Sequence, residues 1–416
     1  MSVPEIDFDH RDPALAGNYR QTFRELRAKC PIAHSSAYGG FYVITQYDDM
    51  VRVWGDPETF SSQIPGLQIP PTPFSLGLLN LDPPEHTGYR RAFVPAFSAP
   101  AVKGKRPRIR ELVEITIDGF IERGRFDVVS DLAMPFLTVS ILDLLGMPLE
   151  RCYQYLHVLF PNSAHGSWYS ASREKPADGT DPMAGVNFVM DDIRNILRTG
   201  ACPPGSVVHE WQHAIINGQA MTEEELVLTI FVFLAGGTEN MSSVIGQAFD
   251  HFSRHPDHQR LLAEQPGLLP RAIEELIRYY PGATTNVRKV MKPVRLAGAD
   301  LRAGDLVMMA FVSGNETIPT IEAPEELRLD REKSTNISFG YGRHRCIAAH
   351  LAQVELETVF ERVFARLPDF RIDRAGIVRH PIVPQVDGFL RIPATFTPGP
   401  RSGHEPLDFM TTGASQ

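Results

Sequence analysis

Hydrophobic residues recur at helical spacing over much of the chain, most regularly between residues 85 and 280. The pattern is interrupted at residues 161–185, which are rich in proline and glycine, and again at residues 203–205. Short runs of β-branched and aromatic residues, which favour strands, are fewer. They lie at residues 41–45, 286–296, 305–312 and 389–392. The pattern predicts a mainly α-helical protein with a small amount of β-sheet.

Residues 56–84 show neither the helical nor the strand pattern, and they contain many prolines among apolar residues. Loops of this length inside a compact domain are uncommon and usually functional. We therefore expect this segment to contribute to a binding site.

Composition narrows the class of protein. The 416 residues include 43% hydrophobic and 22% charged residues, which is ordinary for a soluble globular protein. The net charge of −9 argues against nucleic-acid binding, because phosphate recognition needs an excess of Lys and Arg. Residues 1–13 lack the apolar core of a signal peptide, and the longest apolar run, residues 226–235, is shorter than the roughly 20 residues that span a bilayer. We expect a cytoplasmic protein that binds neither nucleic acid nor membrane.

The four cysteines lie far apart and form no Cys-x-x-Cys, so neither a disulfide framework nor a zinc ribbon is indicated. One of them, Cys346, ends the sequence FGYGRHRC at residues 339–346. Gly340 and Gly342 permit backbone angles closed to other residues, so a tight loop can bring N–H groups to the sulfur. Neighbouring arginines and the start of a helical pattern favour its thiolate form. Such a lone cysteine suits an axial haem ligand better than a zinc site, which needs three or four ligands.

Residues 339–348 match throughout the cysteine loop of the cytochrome P-450 family, the haem-thiolate monooxygenases, which reads Phe-Gly-x-Gly-x-His-x-Cys-x-Gly/Ala. The chain resembles soluble bacterial members of this family, including the camphor- and monoterpene-hydroxylating type. The resemblance implies that Cys346 is the proximal iron ligand of haem b. The cofactor-binding positions that the loop further implies are Phe339 beside the sulfur, His344 at a haem propionate, Gly340 and Ala348.

The resemblance covers roughly residues 15–396, and the chain shows no internal repeat and no Ser/Gly linker. It implies one cytochrome P-450 domain there, mainly α with minor β, which encloses the haem. Residues 1–14 are then an N-terminal arm, and the polar residues 397–416 a flexible C-terminal tail. In the family, the loop at residues 56–84 roofs the substrate pocket.

A threonine cap and an acidic first turn at residues 222–225 begin a long helical pattern. Within it, the sequence AGGTEN at residues 235–240 places two glycines in a helix interior, at a cost of about 1 kcal/mol each relative to alanine. They indicate the close approach of either a flat group or another helix.

This segment resembles the oxygen-activating helix of the family, with Gly236 against the haem and Glu239 at the acid position. Asn240 stands where most members carry threonine. An amide donates and accepts through separate atoms and is a poor proton relay. The resemblance therefore implies catalytic roles for Glu239, which admits protons, and for Asn240, which orders water or binds a polar group of the substrate.

His86 and Arg90 are four residues apart, so they share one helix face and suit a carboxylate clamp. The family holds haem propionates with such a pair and with an arginine at the position of Arg288. The Glu275 and Arg278 pair matches a structural Glu-x-x-Arg motif of the family, which Arg331 completes.

Residues 103–110, KGKRPRIR, form the only dense basic run in this acidic chain. In the geometry of the family this run lies on the cysteine side of the haem, near Arg343 and Arg345. A ferredoxin or flavodoxin redox partner could dock there, steered by charge.

The implied reaction is insertion of one atom of dioxygen into a C–H bond of a small apolar substrate, such as a terpenoid, an aromatic compound or a steroid-like molecule. A separate ferredoxin or flavodoxin supplies the electrons. The expected pocket residues are 61–80, Trp168, Tyr169, 231–235, 283–287, Ile382 and Val383.

Two alternatives stay open at this point. The missing threonine motivates a haem-binding sensor or carrier without turnover. His209, Glu210 and His213 fit the His-Glu-x-x-His helix of zinc metallopeptidases, although no third ligand is specifically placed.

Overall fold

The computed structural model describes residues 3–72, 75–159, 183–381 and 385–407. Its α-helices, in chain order, are α1 (Tyr19–Lys29), α2 (Tyr47–Gly55), α3 (Glu85–Phe93), α4 (Ala99–Asp118), α5 (Met134–Leu145), α6 (Cys152–Leu159), α7 (Ala184–Thr199), α8 (Val207–Gln212), α9 (Glu223–Arg254), α10 (Pro256–Glu264), α11 (Leu269–Tyr279), α12 (Phe311–Asn315) and α13 (Ala349–Arg366). Its strands are β1 (Glu5–Ile6), β2 (Ile32–Ser35), β3 (Phe41–Ile44), β4 (Phe60–Ser61), β5 (Arg125–Asp127), β6 (Ile215–Ile216), β7 (Gln219–Ala220), β8 (Thr285–Val290), β9 (Val294–Leu296), β10 (Ala299–Leu301), β11 (Leu306–Ala310), β12 (Arg371–Ile372), β13 (Val378–Arg379), β14 (Phe389–Arg391) and β15 (Pro393–Thr395).

The largest sheet has six strands in the order β1-β2-β3-β11-β8-β4. β11 pairs parallel with β3 and antiparallel with β8, which carries Arg288 into the interior. The strands predicted at residues 41–45 and 305–312 are confirmed as β3 and β11. The run predicted at residues 286–296 is divided into β8 and β9, because Pro293 between them has no N–H for a ladder.

The 32-residue helix α9 runs through the centre of the helical part of the fold. Thr222 caps it, and the side chain of Glu225 returns a hydrogen bond to the backbone N–H of Thr222, so the predicted helix start is confirmed. By length and composition alone, α9 and the helical segment Val128–Leu145 could each cross a membrane. They are instead mostly buried within the fold, at 67% and 83% of the relevant window. Their apolar composition is therefore that of core helices.

Helix α13 begins at Ala349, three residues after Cys346, and packs along α4. The sequence pattern predicts a helix that begins directly after the cysteine, at Ile347, two residues earlier than observed. The residues between adopt other backbone angles, which bring the N–H of Ala348 to the sulfur.

Both ends of the described chain contact the body of the protein. β1 adds to the edge of the large sheet beside β2, and Phe8 lies buried in the same hydrophobic cluster. Near the other end, the backbone N–H of Ser402 donates to the carboxylate of Asp118 in α4 at 2.9 Å. The domain boundaries at residues 14 and 396 remain a prediction.

Candidate active site

A large cavity lies between α9, α13, α5 and β8, and it brings together every predicted catalytic and cofactor-binding residue. The predicted site residues that line it are His86, Arg90, Gly236, Glu239, Asn240, Arg288, Phe339, Gly340, His344, Cys346 and Ala348. All four cysteines are among the described residues, and of these Cys346 alone lines the cavity.

The cysteine loop folds tightly because of its two glycines. Gly340 and Gly342 have φ angles of 72° and 64°, in the left-handed region that side chains disfavour. The backbone N–H of Cys346 donates to the carbonyl oxygen of Phe339 at 2.7 Å, which closes the loop. Burial raises the pKa of the Cys346 thiol, while the N–H of Ala348 and the charge of Arg90 act in the opposite direction. A metal cation at the sulfur would complete the stabilisation of the thiolate.

Four basic side chains converge on the wall of the cavity beside this loop. Arg288 is buried and donates to the backbone carbonyl oxygen of Val287 at 2.8 Å, and burial lowers its pKa to about 10. The rings of His86 and His344 lie 4.1 Å apart between centroids. Burial and neighbouring arginines lower the pKa of His86 to about 4 and that of His344 to about 2.

Arg90 is the fourth member of this basic cluster. The nearby carboxylate of Asp82 already accepts hydrogen bonds from the hydroxyl of Ser61 and the N–H of Ser62, so the cluster has room for a further anion. Buried cations are stabilised when carboxylates accept their hydrogen bonds. The donors therefore fit the two propionates of a haem, and Cys346 in the same cavity fits its iron.

The helix α9 offers a flat surface at its two glycines. A Cβ atom built on Gly236 would meet nothing within 4 Å, and one on Gly237 would approach Ile141 only to 3.9 Å. Close packing of another helix therefore does not account for Gly236. The open space beside it faces the cavity and leaves room for a planar group.

Glu239 and Asn240 follow on the same helix. Glu239 is buried with 5% of its surface exposed, and it lines the cavity. The Nδ2 atom of Asn240 donates to the carbonyl oxygen of Gly236 at 2.9 Å. The Oδ1 atom and the second N–H of the Asn240 amide remain for a partner in the cavity, which Asn240 lines.

The rest of the cavity lining is mainly apolar. It includes Leu67, Leu76, Leu78, Leu79, Val232, Phe233, Ala283 and Val386, with the hydroxyls of Thr229 and Thr285 and the amides of Asn240, Asn286 and Gln385. Segments 61–80, 231–235 and 283–287 thus contribute as predicted. The other expected residues, Trp168, Tyr169, Ile382 and Val383, lie outside the described residues.

The roof segment of the cavity, residues 64–72, is tied to both ends of the chain, which the sequence did not indicate. The ring of His10 is buried and its Nε2 lies 2.6 Å from the carbonyl oxygen of Ile69. The amide of Gln385 donates to the carbonyl oxygens of Gly66 and Leu67, each at 3.2 Å. No local pattern around His10 or Gln385 marks either residue as part of a site.

The Glu-x-x-Arg pair is fully buried. Glu275 accepts two hydrogen bonds of 2.8 Å from Arg278 and one of 3.2 Å from Arg331. The hydroxyl of Ser334 donates to it at 2.7 Å. The arrangement holds the segment before the cysteine loop against α11.

The basic run is largely paired within the fold. Arg106 bonds to Glu357 of α13 at 2.7 Å, and Arg108 bonds to Asp143 of α5 at 2.9 Å. Arg110 pairs with Glu361 at 3.2 Å. The run therefore joins three helices, and its exposed lysines, Lys103 and Lys105, are the members left facing solvent.

The zinc-peptidase interpretation receives no support from the geometry. The Nδ1 atom of His213 lies 2.8 Å from the carbonyl oxygen of His209, whose own Nδ1 accepts from the N–H of Gly205 at 3.4 Å. Within the described residues, no group of three or more His, Cys, Asp or Glu side chains could hold a metal ion.

Comparison with known proteins decides the family. The Cytochrome P450 family model matches residues 209–373. A steroid C26-monooxygenase of Mycobacterium tuberculosis is 30% identical over 386 residues, covering 91% of this chain and all (100%) of the relative. The chain belongs to the cytochrome P450 family. It is a P450 monooxygenase with haem b and an axial cysteine thiolate, so the predicted fold, enzyme class and cofactor are confirmed.

Two further P450 proteins show the extent of the similarity. A steroid C26-monooxygenase of Mycolicibacterium smegmatis is 29% identical over 400 residues, which are 96% of this P450 and 98% of the relative. The structure of Mycobacterium marinum cytochrome P450 CYP268A2 in complex with pseudoionone superposes with a TM-score of 0.82. It covers 95% of this chain and 100% of the other at 23% identity, which supports the fold alone.

Proposed function

We propose that this P450 inserts one atom of dioxygen into a C–H bond of an apolar, isoprenoid-derived molecule of the steroid or terpenoid class. The observation that carries the proposal is that one cavity contains both Cys346 with the basic cluster and a mainly apolar lining. The relatives named as steroid C26-monooxygenases favour this substrate class over aromatic compounds.

In this proposal Cys346 ligates the iron, and His86, Arg90, Arg288 and His344 hold the propionates. Phe339, Gly340 and Ala348 pack around the sulfur, and Gly236 lets the haem approach α9. Haem b supplies dioxygen binding and activation at its iron. Leu67 of the roof, the nearby Leu76 and Leu79, and Val232 exclude water and orient the apolar substrate.

Glu239 and Asn240 manage protons in this proposal. Glu239 is the buried acid of α9 in the cavity and can carry protons from its entrance. Asn240, fixed to Gly236 through its amide nitrogen, presents its oxygen to a water molecule or a substrate hydroxyl. The alternative of a sensor or carrier without turnover loses support, since the relatives are named as monooxygenases.

We also propose a ferredoxin or flavodoxin as electron donor, which docks on the side of the cysteine loop. The cations that we assign to this side are Arg343, Arg345, Lys103 and Lys105, all of which are exposed. Arg106 and Arg108 take no part, because their guanidinium groups bond to carboxylates of the fold. We propose a cytoplasmic location, where thiols stay reduced.

The test is a ligand screen by the shift of the ferric Soret band, with a sterol and pseudoionone as probes. Product formed per NAD(P)H oxidised is then measured with a ferredoxin and its reductase. A Val232→Trp variant should lose sterol binding more than pseudoionone binding, because it fills the apolar lining. The exposed Val378→Trp is the matched control and should bind both. If neither probe shifts the band or is oxidised, the substrate class is wrong.

A further inference from the structure

One face of α13 continues the wall of the cavity away from the cysteine loop. The residues of this wall are Ala348, just before the helix, then Leu351, Ala352 and Glu355. Their spacing of three, one and three residues places them on a single helix face. At 1.5 Å per residue, Glu355 lies about 10 Å along the helix axis from Ala348. It is the charged member of an otherwise apolar face.

Glu355 is enclosed from the opposite side by α5. Its side chain is buried, with 4% of the residue exposed, and its Oε1 accepts from the hydroxyl of Ser140 at 2.6 Å. Leu137 and Ile141, which flank Ser140 on the same face of α5, also line the cavity. Burial raises the pKa of Glu355 to about 8, and the Ser140 hydrogen bond opposes that rise.

Other charged groups lie on the helices packed around Glu355, and most of them are already paired. Asp143 of α5 accepts from Arg108 of α4, and Glu357 of α13 accepts from Arg106 of α4. On α11, Glu274 accepts from Gln353. The remaining titratable groups that share the cavity are Cys346, Glu239, His86, Arg90, Arg288 and His344. Burial raises the pKa of Glu355, the Ser140 hydrogen bond opposes the rise, and none of these charges contributes to the shift.

We propose that Glu355 acts on the haem iron through its charge: in mildly alkaline solution its carboxylate takes up a proton when the iron takes up an electron. The electron comes from the redox partner, or from an electrode in the test, and the proton comes from solvent. The iron is reduced from ferric to ferrous, and the net charge inside the cavity is conserved when the two arrive together. This inference rests on the proposed assignment of Cys346 as iron ligand.

Electrostatics determines the direction in which the reduction potential changes with pH. An added electron makes the ionised form of a nearby carboxylate less favourable, so the reduced protein binds the proton more tightly. At a pH where Glu355 is protonated in both oxidation states, the reduction potential is independent of pH. Above the Glu355 pKa of about 8, the ferric protein loses the Glu355 proton before the ferrous protein does, so the reduction potential falls with rising pH. A tenfold difference in proton affinity between the two states corresponds to a total fall of about 59 mV.

The experiment is a spectroelectrochemical titration of the purified haem-loaded protein from about pH 6 to about pH 10, which brackets the raised pKa. The reduction potential of the wild type should be constant at the lower pH values and should fall as the pH rises further. Glu355→Gln keeps an acceptor for Ser140 but cannot ionise, and its potential should be level. Infrared difference spectra on reduction should show a protonated carboxyl band that Glu355→Gln lacks. Glu357→Gln, two residues further and outside the cavity lining, is the matched control and should behave as wild type.

Two outcomes overturn the proposal. One is a Glu355→Gln protein with the same pH profile as wild type. The other concerns Ser140→Ala, which also decides the matter if Glu355→Gln fails to load haem. Loss of the opposing hydrogen bond should move the fall in potential to higher pH, and an unmoved profile counts against Glu355. A wild-type protein that lacks the thiolate-type carbon monoxide band would instead overturn the proposed role of Cys346.

Discussion

The amide nitrogen of Asn240 donates to the carbonyl oxygen of Gly236, one turn earlier in α9, at 2.9 Å. A threonine at this position can bond to the same carbonyl through its hydroxyl. We therefore expect Asn240→Thr to retain coupled turnover. Asn240→Ala should raise the share of electrons lost as hydrogen peroxide if Asn240 holds water, and should weaken substrate binding about tenfold, the effect of one hydrogen bond, if it holds the substrate. Hydrogen peroxide and product per NAD(P)H distinguish the two, with the exposed Asn195→Ala as control.

Glu239 should matter for the rate more than for binding. Glu239→Gln keeps the size and polarity of the side chain but cannot pass protons, so we expect oxygen consumption to slow about 100-fold. The substrate-induced Soret shift should be preserved. An unchanged rate would show that protons reach the site by another route.

Cys346 should determine the absorption spectrum of the reduced carbon monoxide complex. The reduced carbon monoxide complex should show the red-shifted Soret band of a thiolate ligand, and Cys346→Ser should lose it. Cys202→Ser replaces a buried cysteine outside the cavity and should keep the band. Loss of the band in both variants would indicate misfolding, not loss of a ligand.

The buried Glu275 should be a large determinant of stability. Glu275→Gln leaves Arg278 and Arg331 as buried cations without a counter-charge, which costs about 3–5 kcal/mol in the free energy of unfolding. Chemical denaturation followed by circular dichroism measures this. The neighbouring Glu274→Gln is the control, because Glu274 is half-buried and accepts one long hydrogen bond from Gln353.

His10 should make the protein sensitive to mild acid. Burial lowers its pKa to about 4, from 6.5 in an unfolded chain. Between these values the unfolded chain binds a proton that the folded one does not, so stability falls as pH falls through this window. The His10 contribution lost between about pH 7 and about pH 5 is about 2 kcal/mol. His10→Gln, which still offers a donor to Ile69, should reduce that loss, whereas the exposed His213→Gln should not.

Charge reversal on the side of the cysteine loop should slow reduction by the redox partner. For Arg343→Glu or Lys103→Glu we expect about a tenfold loss of rate at low salt and a much smaller loss at high salt, because salt screens steering. Stopped-flow reduction measures this, with Arg295→Glu in the β9–β10 hairpin as control. An equal loss at all salt concentrations would point to a folding defect.

Much of the fold and of the site was predictable, because local chemistry determines it. The cap at Thr222, the strand β3 and the glycines of the cysteine loop each act through their own neighbours. The ion pairs of the basic run, by contrast, could not be predicted from the sequence. The partners of Arg106 and Arg108 lie on other helices, and no local pattern reveals them.

Long-range contacts explain the other differences. The three-residue strand β5 exists only because it pairs with β15 near the other end of the chain. Likewise, Glu355 sits in a helix of ordinary amphipathic pattern, and only the position of Ser140 on α5 shows that it faces the cavity wall. A sequence pattern cannot tell a buried glutamate from an exposed one when the covering helix comes from elsewhere.

The ties of the roof segment to His10 and Gln385 set an order of events during synthesis. Synthesis proceeds from the amino end, so residue 10 and the roof segment leave the ribosome before Cys346, and Gln385 leaves after it. A nascent chain that ends between residues 346 and 385 therefore already contains the cysteine loop but lacks the hydrogen bonds of Gln385 to the roof.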